Sequence, residues 1–435
     1  MGDFFQNGII TTLHDFGTAS QERMENRLSD ILKRRDIALI LPVTPHDLRF
    51  PAFNDIIAEI AKAPYISEVV VSLGQTNDFK DMVEARRRLQ PLPQPHSVVW
   101  SSGPGIGLLF DELSENYLDV GPDGKGRGVW TAIGHVLSNR KLWVIAVHDC
   151  DIRNYSRRML ARLCYPCAVR GMDFEFSKAY YQRVSDKLYG RVTRLFFTPL
   201  VRALQTTVGH HEFLSYLHSF RYSLSGEICM TRSLARVMRM PGDWGLEIGT
   251  LAEVYRCCSL TRVCQVDIAE SYEHKHQEFI PGDPKAGLFK MSVDIAKVLL
   301  QTLIMRGVVL PSHFFEALQA SYLNMAREAV DQYAVDAVIN GLPYDRHSEG
   351  QAVESFSEAV RLAGRKLRED PTDLPRIPAW NRVTSALPDF LERLSTIVTE
   401  ENRKADQVIM AEKHREAPIE IPADVQAKKP TLKTS

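Results

Sequence analysis

Apolar runs and amphipathic stretches alternate along the first third of the chain. Ile37 to Leu41 is an unbroken apolar run closed by Pro42. Within Phe53 to Ala63, Ile56, Ile57, Ile60 and Ala61 recur at helical spacing. Further apolar runs lie at Ser67–Leu73, Ser97–Trp100 and Leu142–Val147, separated by helical patterns over Asp78–Leu89, Leu108–Glu115 and Trp130–Leu137. Strand and helix in strict alternation predict a mostly parallel sheet covered by helices. A helix over Gln21–Arg34 precedes the first run, and residues 1–19 read as a short arm.

Beyond residue 151 the alternation loosens. A strand is expected within Arg170–Ala179, a short helix over Thr231–Met238, a longer one over Trp244–Cys258 and a strand over Val263–Ile268. From Phe289 the pattern is almost wholly helical: Phe289–Arg306, Ser312–Ile339, Gln351–Arg368 and Pro388–Lys413. The expected organisation is an arm and helix over 1–35 and an α/β region in two halves, 36–170 and 171–288. A helical C-terminal region over 289–414 and a disordered tail over 415–435 complete it.

Composition narrows the function without naming it. The 435 residues carry 53 basic and 54 acidic side chains, a formal net charge of −1, so no overall field favours nucleic acid or an anionic membrane. The most apolar stretch, Val293–Leu310, is broken by Asp294, Lys297, Gln301 and Arg306 and is too polar for a membrane span. The opening residues lack a signal-peptide pattern, and Gln6 stands where a myristoylation signal needs Ser or Thr. Seven irregularly spaced cysteines suit reduced thiols, with Cys164 and Cys167 a lone pair. A cytoplasmic protein is expected.

The candidate chemistry starts where Leu142–Val147 ends, at His148-Asp149-Cys150-Asp151. In open α/β sheets ligands bind at the C-terminal ends of the strands. Two carboxylates at i and i+2 there can share a divalent cation that also holds a diphosphate. Equally, Asp149 can cap a turn and Asp151 the next helix. One helix upstream, Gly121-Pro-Asp-Gly-Lys-Gly-Arg-Gly128 reads as a flexible loop whose amides approach a diphosphate, with Lys125 and Arg127 supplying charge. Gly190, Arg191 and Thr193 can bind a phosphate or carboxylate through a guanidinium fork, a hydroxyl and backbone amides, or can simply start a helix. Glu247 stands among bulky apolar neighbours and needs a partner, a sugar hydroxyl or the helix that follows. His274 and His276 come after the last strand, where one of them can complete a metal site or lie on the surface.

In order, the segments PDGKGRGVW, VIAVHDCDI, YGRVTRLFFTPLVRAL, LSGEICMTRSLARV, WGLEIGTLAEVY and CQVDIAESYEHKHQ resemble the glucosyl-3-phosphoglycerate synthase family. These are retaining glycosyltransferases of the GT-A fold, a Rossmann-like α/β sheet with flanking helices. The likeness covers roughly residues 36–305 and is best from 121 to 277. It implies that Lys125 sits near the nucleotide diphosphate, with Asp149 and Asp151 as the metal and nucleotide carboxylates and Asp151 the direct ligand. His274 would be the second ligand, with His276 as the alternative. Gly190, Arg191 and Thr193 would hold the acceptor phosphate, and Glu247 would contact donor sugar and acceptor. The implied cofactor is Mg²⁺, with Mn²⁺ or Co²⁺ credible beside a histidine.

The sequence departs from the family twice. Pro42-Val43-Thr44-Pro45-His46-Asp47 replaces the usual Pro-Ala-x-Asn-Glu-Glu, and Leu73-Gly74-Gln75-Thr76 replaces an Asp-x-Gly-Ser turn. Both segments hold base and ribose in the family. Pro42 and Thr44 are therefore donor-binding by position, and the base stays open. The expected partners are a nucleotide sugar, a small phosphorylated acceptor and, by analogy, a second copy of the chain. The apolar face of Phe314, Leu318, Tyr322 and Met325 could form a dimer interface or pack back on its own chain. Alternatives are a mannosyl donor or a glycerate acceptor on the same fold, and a non-catalytic scaffold.

Overall fold

The computed structural model describes residues 6, 8–31, 35–242, 245–273, 287–370 and 376–416. Its strands are β1 (Thr11–Leu13), β2 (Asp36–Val43), β3 (Glu68–Leu73), β4 (His96–Trp100), β5 (Leu142–Val147), β6 (Phe176–Tyr181), β7 (Ile228–Thr231), β8 (Met240–Pro241), β9 (Val263–Ala269) and β10 (Arg376–Ile377). The helices of the first half are α1 (Gln21–Ile31), α2 (Pro51–Ile60), α3 (Phe79–Arg88), α4 (Pro104–Glu115), α5 (Lys125–Ser138) and α6 (Arg157–Ala168). The second half adds α7 (Thr198–Val208), α8 (Glu212–Ser219), α9 (Arg232–Val237) and α10 (Leu246–Cys257). The C-terminal region is α11 (Gly287–Met305), α12 (Phe314–Ile339), α13 (Arg346–Glu369), α14 (Trp380–Ala386) and α15 (Phe390–Glu416).

Eight strands form one sheet in the order β1-β9-β6-β7-β5-β2-β3-β4. All neighbours run parallel except β7, which is antiparallel to both β5 and β6. The two faces carry separate cores. One packs α1, α2, α3 and α6 through residues such as Leu28, Phe53, Met82 and Leu160. The other packs α4, α5, α7, α8 and α10 to α14. This is the three-layer α/β arrangement the alternating pattern calls for.

Two strands of the eight-stranded sheet differ from the sequence expectation, and the short pair β8 and β10 is unexpected as well. Thr11–Leu13, within the expected arm, pairs with β9 through Thr11–Cys264 and Leu13–Val266 and forms one edge of the sheet. Three residues are too few to show a period. The second is β7, whose Ile-Cys-Met-Thr has no alternation because it is buried on both faces in mid-sheet.

The C-terminal helices are built into the molecule. Trp380 stacks on Trp130 of α5, with ring centroids 3.9 Å apart, and Trp130 Nε1 donates to the Pro378 carbonyl at 2.8 Å. Gly134 makes room for this stack, since a Cβ there would fall 2.2 Å from Trp380. On α15, Asn402 accepts from the Val98 amide at 2.9 Å and donates to the Val98 carbonyl at 2.7 Å. A side chain thus takes the place of the missing neighbour of edge strand β4. Phe314, Leu318 and Tyr322 are buried within the chain and Met325 packs against the same core, so this face turns inward. Among the described residues no helix is long and apolar enough to cross a membrane.

Candidate active site

Because β7 runs against its neighbours, its beginning lies at the edge where β5 and β6 end. Register places Val147 of β5 and Lys178 of β6 opposite Ile228. Asp149, just past β5, therefore meets Ser225-Gly226-Glu227, just before β7. A Cβ on Gly226 would sit 2.4 Å from Asp149 Oδ2, so only glycine allows this approach.

Lys125, the first residue of α5, donates to Asp149 Oδ1 at 2.7 Å and lies 3.7 Å from Glu247 Oε1 in the first turn of α10. Burial opposes the lysine charge, but Asp149 and Glu247 outweigh it and hold its pKa above the ordinary value. Three of the expected residues are thus brought together from two helices and one strand end.

The glycine segment differs from its sequence reading. Lys125 to Gly128 belong to the first turn of α5, not to a loop. Gly126 is required by packing, since its Cβ would fall 2.0 Å from the Pro241 carbonyl oxygen of β8. The preceding turn is held by Asp123, which accepts from the Gln75 amide at 2.9 Å and the Ser102 hydroxyl at 2.6 Å and pairs with Arg127 at 3.1 Å. Asp123 ties the ends of β3 and β4 to the start of α5, and the sequence shows it only as a turn residue.

Asp151 is held partly protonated. Burial, then the neighbouring Asp149 charge, pushes its pKa up to about 7. An excess of negative charge of this kind suits a divalent cation, which would relieve it. His274 and His276 lie outside the described residues. Among the described residues no group of three or more His, Cys, Asp or Glu side chains could hold a metal ion. The chain reaches the histidines through Tyr272, whose hydroxyl bonds to the buried Glu227; Tyr181 donates to the same carboxylate at 2.8 Å. Burial and Asp149 raise the Glu227 pKa.

Sequence reasoning missed this inner layer of Lys178, Tyr181, Glu227 and Tyr272. None of the four carries a local signal: Lys178 and Tyr181 sit within the short β6, Glu227 and Tyr272 lie just outside strands, and their partners are on other elements.

Pro42 and Thr44 stand at and after the end of β2. The Pro42 carbonyl accepts from the Cys150 thiol at 2.9 Å, and Thr44 donates through amide and hydroxyl to Asp47 at 2.9 and 2.7 Å. This compact turn sits on the same sheet edge as Asp149.

Gly190, at φ +73°, opens a π-helical turn over Val192–Phe197 that runs into α7. Single π turns often mark functional positions. Thr193 is buried there. Arg191 donates from Nη2 and Nε to Glu349 of α13 at 3.0 and 3.2 Å, and Arg194 reaches the other oxygen of Glu349 at 3.4 Å. Two guanidinium groups on one carboxylate leave the trio positively charged. Gly190 also lies beside Arg183 and Tyr222, which bond to each other at 3.1 Å.

A small cavity of about 20 Å³, room for a single water, lies beside Lys125 and Glu247. Its polar lining is Lys125, Lys178, Ser225, Glu247 and Thr250, and Val147, Ile228 and Met240 contribute apolar wall. Lys178 is 1% exposed and donates from Nζ to the Ser225 carbonyl at 2.7 Å.

No protein-family model matches the chain. Similar proteins include a glucosyl-3-phosphoglycerate synthase of Persephonella marina, 44% identical over 402 residues, or 92% of this chain and 99% of the relative. A glucosyl-3-phosphoglycerate synthase of Methanococcoides burtonii is 36% identical over 404 residues, 90% of this chain and 96% of the relative. Among solved structures, mannosyl-3-phosphoglycerate synthase from Rubrobacter xylanophilus is similar in fold, with a TM-score of 0.51 and 20% identity over 69% of this chain and 83% of that one.

Proposed function

The chain belongs to the glucosyl-3-phosphoglycerate synthase family, and on that premise we propose that it moves glucose from a nucleoside-diphosphate donor to the C2 hydroxyl of 3-phosphoglycerate. The observation that carries the residue assignment is the meeting of Lys125, Asp149 and Glu247 at the C-terminal edge of the sheet.

In this reading the donor diphosphate lies against Lys125 at the N-terminus of α5, where cationic side chain and helix dipole both favour negative charge. As the glycosidic bond breaks, charge grows on the diphosphate, and Lys125 stabilises that growth. Asp151, with His274 or alternatively His276, would hold a divalent cation, Mg²⁺ or Mn²⁺, that supplies further charge neutralisation to the leaving group. The raised pKa of Asp151 supports this assignment, because burial and the neighbouring Asp149 charge disfavour its ionised form and a divalent cation would favour it. Asp149 orients Lys125 and the nucleotide, and Pro42 and Thr44 border the base.

Glu247 orients the sugar and the acceptor hydroxyl, with its carboxylate 3.7 Å from the Lys125 ammonium. The reaction retains configuration, with the departing phosphate taking the acceptor proton on the same face. Gly190, Arg191 and Thr193 receive the phosphate of the acceptor, and the positive excess of the Arg191–Arg194–Glu349 trio suits a dianion. The enzyme works as a homodimer in the cytoplasm.

The test is nucleoside-diphosphate release with Mg²⁺ or Mn²⁺. UDP-, GDP- and ADP-linked glucose and mannose are crossed with 3-phosphoglycerate and glycerate. Release with a glucose donor and 3-phosphoglycerate is expected. Release only with a mannose donor or glycerate would replace the substrate assignment, and silence across the panel would overturn it.

A further inference from the structure

Arg183 lies two residues past the end of β6, at the sheet edge where β5 also ends. The turn after it folds the chain back on itself: Val184 bridges to Leu188, and the Tyr189 amide donates to the Arg183 carbonyl at 2.9 Å. Arg183 is thereby set beside Gly190, where a Cβ would fall 3.9 Å from Arg183 Cδ and 3.7 Å from the Tyr222 ring. Arg183, Gly190 and Tyr222 are each half-buried, so this corner is open to a ligand.

The three guanidinium groups nearby differ in what they hold. Arg191 grips Glu349 through Nε and Nη2. Arg194 is spent on Glu349 and on the Tyr189 and Leu188 carbonyls, at 2.9 and 3.2 Å. Among the described residues Arg183 forms no ion pair. Its side-chain hydrogen bond runs from Nη1 to the Tyr222 hydroxyl at 3.1 Å, and its Nε is buried with no acceptor. Asp186, the closest acid along the chain, accepts from the Ser185 and Tyr189 hydroxyls instead.

A half-buried guanidinium without a counter-ion carries a desolvation cost that this fold leaves uncompensated. Five N–H donors facing one phenol leave most of its capacity unused. The Tyr222 hydroxyl accepts from Arg183 and keeps its own proton to donate. Together the pair offers a cationic fork and an O–H group, a combination suited to a carboxylate. Side-chain contacts join this corner to the Lys125–Asp149 cluster. The Tyr222 ring lies 5.0 Å from that of Tyr181, Tyr181 bonds to Glu227, and the adjacent Gly226 abuts Asp149.

We propose that Arg183 and Tyr222 bind the carboxylate of the acceptor while its phosphate rests on Gly190–Thr193. This rests on the reading of the site as a transferase to a phosphorylated 2-hydroxy acid. With its two anionic groups held at separate points, the acceptor can present its C2 hydroxyl in one orientation. The pair then selects the acid over the corresponding alcohol, which leaves the guanidinium without its counter-ion.

Initial rates with 3-phosphoglycerate, and inhibition by glycerol 3-phosphate, which has the phosphate and lacks the carboxylate, test this in wild type, Arg183→Met, Arg183→Lys and Tyr222→Phe. Arg183→Met should raise the KM for 3-phosphoglycerate about 30-fold and Tyr222→Phe about fivefold, with the donor KM within about twofold of wild type. Arg183→Lys, which retains the charge without the fork, should recover part of the loss. Inhibition by glycerol 3-phosphate should be the same in all four proteins. If Arg183→Met fails to fold, the contrast between the two ligands is read on Arg183→Lys and Tyr222→Phe. An unchanged acceptor KM in an active enzyme would overturn this inference alone. Equal weakening of both ligands would also overturn it and would assign Arg183 to the phosphate. A donor KM that rises in parallel would overturn it by marking Arg183 as a support for the whole site. A wild type silent with every donor and acceptor would overturn the transferase reading and this inference with it.

Discussion

Gly226 and Asp149 face each other across two strand ends so closely that a single methyl group on Gly226 would overlap the carboxylate, 2.4 Å from Oδ2. The Asp149 carboxylate bonds to Lys125, so its position is shared by the two residues assigned to the diphosphate. The clash is with the end of a rotatable side chain, which can swing away at little cost in stability. Gly226→Ala should therefore lower kcat/KM about 100-fold, near 2.7 kcal/mol, while shifting the melting temperature only slightly. Steady-state kinetics beside a thermal melt checks this, and an unchanged rate would show that Asp149 can move without consequence.

As the proposed metal ligand, Asp151 should link metal binding to pH. Its carboxyl is protonated in much of the population at neutral pH, because burial and Asp149 raise its pKa to about 7. A cation binds the ionised form and expels the proton. Mn²⁺ affinity should therefore rise between pH 6 and 8, with proton release visible as heat that depends on the ionisation enthalpy of the buffer. Asp151→Asn should lose this dependence and at least 1000-fold in turnover. A flat affinity across the range would remove Asp151 from the metal site.

Arg191 is assigned to the acceptor phosphate, yet it also holds Glu349. Arg191→Ala should raise the KM for 3-phosphoglycerate tenfold or more and leave the donor KM within twofold. Glu349→Gln weakens the grip on the guanidinium and should raise the same KM by a smaller factor. Initial rates at varied acceptor concentration distinguish these outcomes. An acceptor KM that is indifferent to Arg191 would end its phosphate role.

Glu253 of α10 is buried and bonded to Arg239, Arg256 and Arg376. Burial alone would raise its pKa, but the arginines prevail and lower it to about 2. The sign follows directly: the stabilisation is present above the ordinary carboxylate pKa of 4.5 and is lost as pH falls towards 2. The arginine partners Arg239 and Arg256 are over two-fifths exposed, so screening reduces the effect to on the order of 2 kcal/mol. Glu253→Gln should thus be less stable than wild type at pH 7 and should approach it at pH 3 by denaturant unfolding. A constant difference across that range would exclude the linkage.

The sequence by itself determined the layered α/β architecture. Apolar runs of five or six residues can only be satisfied between two helical layers, and Leu142–Val147 was readable to its ends because both faces of β5 are covered. It also marked Lys125, Asp149, Asp151, Glu247 and the Gly190–Thr193 segment, since charge and glycine clustered at the ends of apolar runs stand out locally. Tertiary structure alone decided which of these residues meet. The antiparallel insertion of β7 brings Gly226 and Glu227 to Asp149, and four residues buried on both faces carry no period that announces a strand or its direction. Lys178 and Tyr181 were equally silent, because their partners lie on other elements and pairing across a sheet leaves no mark on a single strand. The turn of α12 inward was open for the same reason: an apolar helix face records that something covers it, and only the packed chain shows what does.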